Sequence, residues 1–420
     1  MKGRITGLIL ALLMVGAAPG LAGEMGPDDF LLLVREKNPT LQASLKRLEA
    51  FRHTVLSTVA AQRPGAGLRG SSGWYSDNDR SRQGQYSVSA ALSQKIDVSG
   101  VYPAQEKQIL LQYKGLGADH LALVNTTLAS AENLYWTAFV ARENISLQKG
   151  VLNQRREDLR IAEEMFTQQL IPRLDVIRAQ AKVEDAVSLV VDAESVYRNS
   201  LAQLATLAGG EPVSPRTGNL LVPSLKIQPE TAAALLRRND VQSLEIALER
   251  AKVLRKLAAK GMSPTVEGSV GYVLLTDSEG TSSQRQDEFL LSLNVSMPVY
   301  DGGRTREDVA DKAKGVEAAE RSLEAKRNQV DEDIVKALNQ WSRAVAVEES
   351  KRKQVGRSDE ELSITKLMYK EGMGAQIDLL NAQVDNQKVK TEHLNSIKDM
   401  YLALVSLKQA MSEYEPAPAK

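Results

Sequence analysis

Leu174-Asp175-Val176-Ile177-Arg178-Ala179-Gln180 returns later in the chain as Ile377-Asp378-Leu379-Leu380-Asn381-Ala382-Gln383. The offset is 203 residues (378 less 175), and Met165-Phe166 stands to Met368-Tyr369 at the same distance. Working outward, Asn38-Pro39-Thr40-Leu41 aligns with Asn239-Asp240-Val241-Gln242 and Pro64 with Pro264. Gln94–Gly100 aligns with Pro298–Arg304, and Trp136 falls near Trp341. The matches keep their order at offsets between 200 and 205, so one structural unit is written twice. The Pro/Gly-rich stretch from Gly209 separates the copies.

Each copy has the same internal order. A helix comes first, over 28–61 and from 229 to 260. Two strands follow, 66–75 with 85–96 and 265–275 with 287–299, around polar connections. In the return strands Tyr86, Val88, Ala90 and Leu92 alternate with small or polar residues. Phe289, Leu291, Leu293, Val295 and Met297 do the same in the second copy. Period two with one apolar face is a strand signature. A strand of roughly 9–11 residues crosses a tilted bilayer path. A transmembrane barrel and a soluble sheet with one buried face both fit this alternation. Four strands do not close a spanning barrel and an open edge is untenable in lipid, so the membrane reading requires several chains. Trp74 and Tyr75, at the outer end of a strand, suit an interfacial aromatic girdle.

Long helical hairpins follow the strands, over 102–207 and 304–411. Their first helices run some 65 residues with scarcely a breaker, roughly 100 Å at the helical rise. Pro172 and the pair Gly372 and Gly374 punctuate the hairpin turns. No apolar stripe is wide enough for a compact globule, which predicts side-by-side packing in an extended array.

Composition narrows the function. The 420 residues carry 53 Lys+Arg against 53 Asp+Glu, so there is no basic footprint for nucleic acid. With no cysteine, disulfides, thiolate zinc sites and Fe–S clusters are excluded. Three histidines, His53, His120 and His393, are too far apart in sequence to suggest a metal site, and no nucleophile–His–acid set emerges. We expect no enzyme, cofactor or metal. Lys2 and Arg4, an apolar run from Ile5 and small residues before Gly23 form an export signal over 1–22. The domains expected are that signal, a first repeat over 23–208, a linker over 209–228, a second repeat over 229–411 and a tail over 412–420.

The duplicated order, Asn38-Pro39-Thr40-Leu41, the Met297–Gly303 junction (Met-Pro-Val-Tyr-Asp-Gly-Gly) and the tip Tyr369-x-x-Gly372 with Asp378-Leu379-Leu380-x-Ala382-Gln383 together resemble the TolC-like outer-membrane efflux protein family. The resemblance covers essentially the whole chain after the signal. It implies a mainly α fold with a small transmembrane β part, assembled as a homotrimer. In it an α-barrel tunnel in the periplasm continues a shared twelve-stranded β-barrel. It implies an exit duct in the outer membrane of a Gram-negative bacterium, in contact with outer-membrane lipid. The duct serves a tripartite efflux or type I secretion system with a periplasmic adaptor protein and an inner-membrane pump. The alternative without a pore is a secreted, structural periplasmic coiled coil.

The same resemblance points to residues. Asp175 and Tyr369 match positions that take part in closing the tunnel. Asp378 matches an acidic ring at the aperture, and rings of carboxylates favour cations. Asp175 and Asp378 also suit simple charge capping of their helices, a role compatible with gating. The tip residues Gln169, Pro172, Arg173, Gly372 and Gly374 would meet the adaptor. Three positions depart from the family pattern: its latch arginine falls on Gly374, its second aperture acid on Asn381, and its first tip glycine on Gln169. At the strand-to-helix junction, Pro298 suits a strand end. Asp301 suits a helix cap beside Gly302 and Gly303, whose spacing is not that of a phosphate loop.

Overall fold

The computed structural model describes residues 23–76, 82–216, 238–278, 285–371 and 373–414. The export signal, the second half of the linker with the first residues of copy two, most of the tail and Gly372 lie outside the described residues. The chain runs β1 (Gly23–Met25), α1 (Pro27–Lys37), α2 (Pro39–Ala60), β2 (Gly65–Ser76), β3 (Arg82–Ile96), α3 (Val101–Thr167), α4 (Arg173–Leu207), β4 (Val213–Pro215), α5 (Asn239–Ala258), β5 (Thr265–Ser278), β6 (Arg285–Ser296), α6 (Arg304–Lys370) and α7 (Gln376–Ala410). Helices α3 and α6 are 67 residues each, and α4 and α7 are 35 each, so the hairpins of the two copies match in length.

Two details differ from the sequence reading. The helix expected over 28–61 is broken at Asn38, whose extended backbone (φ −64°, ψ 121°) obeys the restriction that a following proline imposes. The amide of Asn38 compensates by donating to the Leu207 carbonyl at 3.0 Å. Arg238 precedes α5 with nearly the same backbone (φ −71°, ψ 116°), and Leu41 and Val241 are both buried. The copies therefore align here at Asn38 with Arg238, one residue short of the Asn38–Asn239 match. Second, β6 stops at Ser296 rather than 299, since Pro298 has no N–H to continue a ladder. Its other end, with that of β3, extends further into the polar connection, where Arg82 pairs with Ser76 and Arg285 with Thr276.

The chain clusters into two compact units, each drawing on both sequence copies. The first comprises Met1–Pro39, Leu128–Lys226 and Gln340–Ser406. In it β1 pairs in parallel with β4, and the Tyr135 hydroxyl donates to the Met25 carbonyl at 2.8 Å. Arg142 donates to the Pro215 carbonyl at 2.8 Å, while Phe30 lies against Tyr135. Trp136 stacks on Tyr401 with ring centroids 3.8 Å apart. Both Trp136 and Trp341 pack on the buried cluster of Ile397, Met400, Tyr401 and Leu404, so the two duplicated tryptophans serve one core.

The second unit comprises Thr40–Thr127, Ile227–Asn339 and Leu407–Lys420. It holds an antiparallel four-stranded sheet in the order β2-β3-β5-β6. The register sets Leu68, Ala90, Tyr272 and Phe289 in one cross-strand row, and Ala66, Leu92, Val270 and Leu291 in another. The opposite face carries Gly65, Ser93, Ser269 and Ser292 in one row and Arg69, Ser89, Val273 and Glu288 in another. Serine hydroxyls pair across that face, Ser71 with Ser87 and Ser269 with Ser292, each at 2.6 Å. The apolar face is uncovered within the chain: Leu68 is 84% exposed, Leu291 74% and Phe289 69%. The side chains of Trp74 and Tyr75, expected in a girdle, lie outside those described. Among the described residues no helix is long and apolar enough to cross a membrane.

Below the sheet elements, Asp240 in the first turn of α5 accepts from Arg238 at 2.6 Å and from Lys326 of α6 at 2.9 Å. Burial opposes the charge on Asp240, but these two cations outweigh it and hold its carboxyl below the usual range. Along the exposed helix faces, pairs such as Lys314–Glu317, Arg321–Glu324 and Lys353–Glu349 stand at helical spacing. Exposed pairs of this kind are screened by water and add little to stability. The packed aromatic cluster matters more. Trp136→Ala should cost about 3 kcal/mol, read as a lower midpoint of urea unfolding followed by far-ultraviolet circular dichroism.

Candidate functional site: a hairpin tip and a strand-to-helix junction

The junctions are built alike in the two copies. Asp97 accepts from the backbone N–H of Ser99 (3.1 Å), Val101 (3.0 Å) and Tyr102 (2.9 Å), capping α3. Asp301 accepts from Gly303 (3.0 Å) and Thr305 (2.8 Å), capping α6. Gly100, Gly302 and Gly303 take φ of 67°, 69° and 88°, the left-handed region that a side chain resists. Pro298 sits just after β6, where the ladder has ended. Lys260, beyond the end of α5, donates to the carbonyls of Ser99 (2.7 Å) and Gly100 (2.5 Å) and so fixes the first junction from the other copy.

Burial raises the Asp97 carboxyl, yet the backbone donors from Ser99 to Tyr102 prevail and lower it. Asp301 is lowered by Thr305, through its hydroxyl and its N–H. Both folded values lie below the unfolded ones, so the stability these caps contribute is complete above the ordinary carboxylate pKa. It is lost as pH falls through the depressed folded value.

At the other site the two hairpin tips meet within the first unit. Residue Gln169 takes φ 61° just past α3, while the Leu170 N–H bonds the Met165 carbonyl at 2.9 Å. This is a helix stop that favours glycine. In copy two the Met373 N–H bonds the Met368 carbonyl at 2.9 Å, the same closure, with Gly372 at the position matching Gln169 and outside the described residues. Pro172 caps α4 in extended conformation (φ −76°, ψ 155°) and Arg173 opens the helix. Gly374 lies against the backbone of Met368 and Tyr369.

Asp175 stands in the first turn of α4 with its side chain 17% exposed, 3.4 Å from Arg178. The Tyr369 hydroxyl donates to the Met165 sulfur at 3.7 Å. Burial, then the charges of Asp175 and Asp158, push the Tyr369 phenol up, so it stays a neutral donor at physiological pH. Asp175 and Tyr369 are thus brought together, whereas Asp378 stands exposed in the first turn of α7.

Sequence reasoning missed the polar seam behind these residues. Arg155 of α3, only 5% exposed, donates to the Gln383 side-chain carbonyl of α7. The Gln383 amide in turn donates to Asp158 at 2.8 Å. Gln387 donates to Gln148 at 3.0 Å, and Asn386 to Asp359 at 2.7 Å. Lys390 pairs with Asp359 at 2.7 Å, and His393 stands 3.2 Å from Glu348. The signal was present in the sequence: Gln383, Asn386, Gln387, Lys390 and His393 recur at three- and four-residue spacing along one face of α7.

A sheet with one uncovered apolar face and a face of small polar residues has the alternation of a transmembrane β-barrel, the class found in outer-membrane channels. The match to a family model fixes the assignment: the chain belongs to the outer membrane efflux protein family, over residues 31–210 and 232–413. It is 23% identical to Nodulation protein T of Rhizobium leguminosarum bv. trifolii, across 83% of this chain and 77% of that protein. It is 21% identical to Outer membrane protein TolC of Escherichia coli K12, across 90% of this chain and 80% of that protein. The fold matches the open state of the MtrE outer membrane channel of Neisseria gonorrhoeae with a TM-score of 0.79 at 19% identity, covering 92% and 88% of the two chains. The family and fold are those of channel proteins, located in the outer membrane with the helical part in the periplasm.

Two expectations follow for the sites. Gln169→Gly should stabilise the first tip by up to about 1 kcal/mol, because it removes a side chain from the left-handed region. Gln383→Ala should cost about 2 kcal/mol by stranding Arg155 and Asp158. Amide hydrogen exchange over the ends of α3 and α7 would show slower exchange for the first variant and faster for the second.

Proposed function

We propose that three copies of this chain form the passive exit duct of an efflux or type I secretion system. Their four-stranded sheets combine into one twelve-stranded barrel. The uncovered apolar face of the sheet carries this reading. Alone, the chain exposes Leu68, Phe289, Leu291 and Leu293 to water and leaves an edge of β2 and of β6 unpaired among the described residues. Pooling strands satisfies the edges and lipid covers the apolar face. A pore-free coiled coil accounts for neither.

Below the barrel, the α3–α4 and α6–α7 hairpins from three chains line a periplasmic tunnel. Its tips close through Asp175 and Tyr369, and Asp378 rings the aperture. Gln169, Pro172, Arg173, Gly372 and Gly374 dock the hairpins of a periplasmic adaptor that links the duct to an inner-membrane pump. Exposed Leu170 and Met373 at the two tips supply apolar area for that contact. Asp301, Gly302, Gly303 and Pro298 set the angle at which strand passes into helix. The duct performs no covalent chemistry, and its cargo is chosen by the pump.

Conductance across a planar lipid bilayer tests the reading. Detergent-purified mature protein should insert and give discrete, cation-preferring channels, and Asp378→Asn should weaken the preference and change the unit conductance. Channels indifferent to that substitution would keep the duct and reduce Asp378 to a helix cap. A protein that stays soluble and never inserts would sink the barrel.

A further inference from the structure

The ends of α3, α4, α6 and α7 surround a cleft whose charges do not balance. Four cations line it, Arg155, Lys182, Lys366 and Lys370, against one carboxylate, Asp158. Lys182 is partly offset by Asp185 at 3.1 Å. Lys366 and Lys370 form no ion pair among the described residues. Nearby Glu157 is engaged first by Arg160 at 2.6 Å and offsets Lys366 and Lys370 only at longer range. Arg155 is 95% buried (5% exposed) and its one hydrogen-bond partner among the described residues is the neutral amide of Gln383. A guanidinium carries five donors, and a single neutral acceptor leaves most of them without a protein hydrogen-bond partner among the described residues. Asp158 and Asp185 act on Arg155 through space, but among the described residues the only hydrogen-bonded route from Asp158 runs through Gln383, and burial pushes the Asp158 carboxyl up.

Size and polarity restrict what could supply the missing charge. The cleft interior amounts to about 30 Å³, and Ile161, Leu379 and Leu380 make its walls predominantly apolar. That volume takes about two waters, which suits a monatomic anion. Apolar walls penalise a strongly hydrated ion more than a weakly hydrated one.

We propose that this cleft binds a monovalent anion of halide size, held by Arg155, Lys366 and Lys370. The anion bridges the two hairpins, since Arg155 belongs to α3 and both lysines to α6. It stabilises the packed tip by mass action, as the logarithm of its concentration once that exceeds the Kd. Tyr369, which the proposed closure uses, lines the same cleft.

Bromide-81 NMR line width on the detergent-solubilised mature protein tests the proposal. Wild type should broaden the bromide signal beyond protein-free detergent. Added chloride should reverse the broadening and sulfate at equal ionic strength should not. Lys366→Gln with Lys370→Gln should reduce the excess several-fold. Lys314→Gln with Lys336→Gln, the same charge change on exposed positions elsewhere on α6, should leave it intact. Lys370→Gln alone, at an exposed position, gives the same direction of change should the double variant fail to fold. Absence of excess broadening in wild type, equal broadening in the cleft variants, or equal loss in the two double variants would overturn the site.

Discussion

Backbone hydrogen bonding sets the terms for this protein. A strand edge in hydrocarbon leaves N–H and C=O groups without partners at several kcal/mol each, so a spanning sheet has to close on itself. The chain provides only four strands, and β2 and β6 lie at the ends of the sheet order. Everything proposed for assembly follows from that shortfall. The same constraint explains why the apolar face is left bare within the chain: Leu68 and Leu291 await lipid rather than a core. The face opposite is dressed with serines that satisfy one another across strands, which suits a water-filled interior.

The helical part follows a different economy. Its surfaces are charged, and its buried residues include amides and ions as well as aliphatic side chains. Around Trp136, Tyr401 and Met400 the packing is apolar and aromatic. Toward the tips it passes to Arg155, Gln383, Asp158 and Asn386. A buried polar network of this kind contributes little net stability but fixes the register of the helices that share it, because each displaced partner leaves a charge unsatisfied. Apolar contacts among helices tolerate sliding better. A tip secured by hydrogen bonds is therefore held in register, which is what the proposed closure requires.

Duplication made much of the fold legible. Val176 and Leu379, and Ala179 and Ala382, are buried in both copies, as equal positions in equal hairpins should be. Asp97 and Asp301 cap equivalent helices with equivalent geometry. Other equal residues diverge. Gln180 and Gln383 occupy the same place in the motif, yet Gln180 is exposed while Gln383 is buried between Arg155 and Asp158. Ser358, at the position matching Arg155, takes a hydrogen bond from Asn386 instead. The copies share a backbone and differ in surroundings, so the repeat could not reveal which of two identical glutamines bears the seam.

Sequence by itself determined the element order, the alternating faces of the return strands, the long helices and the turns between them, because these follow from local periodicity and from proline and glycine. It also carried the family, through an ordered set of short motifs found twice. Tertiary structure decided the rest: the break at Asn38, the one-residue shift that sets it against Arg238, and the row-by-row register that joins β3 to β5 across 170 to 194 residues of sequence (266 less 96, 278 less 84). It alone assembled the cationic cleft, whose members lie on four helices and far apart in sequence. Local pattern records which face of an element turns inward. Which side chains meet there depends on contacts between distant segments, whose energies no single segment contains.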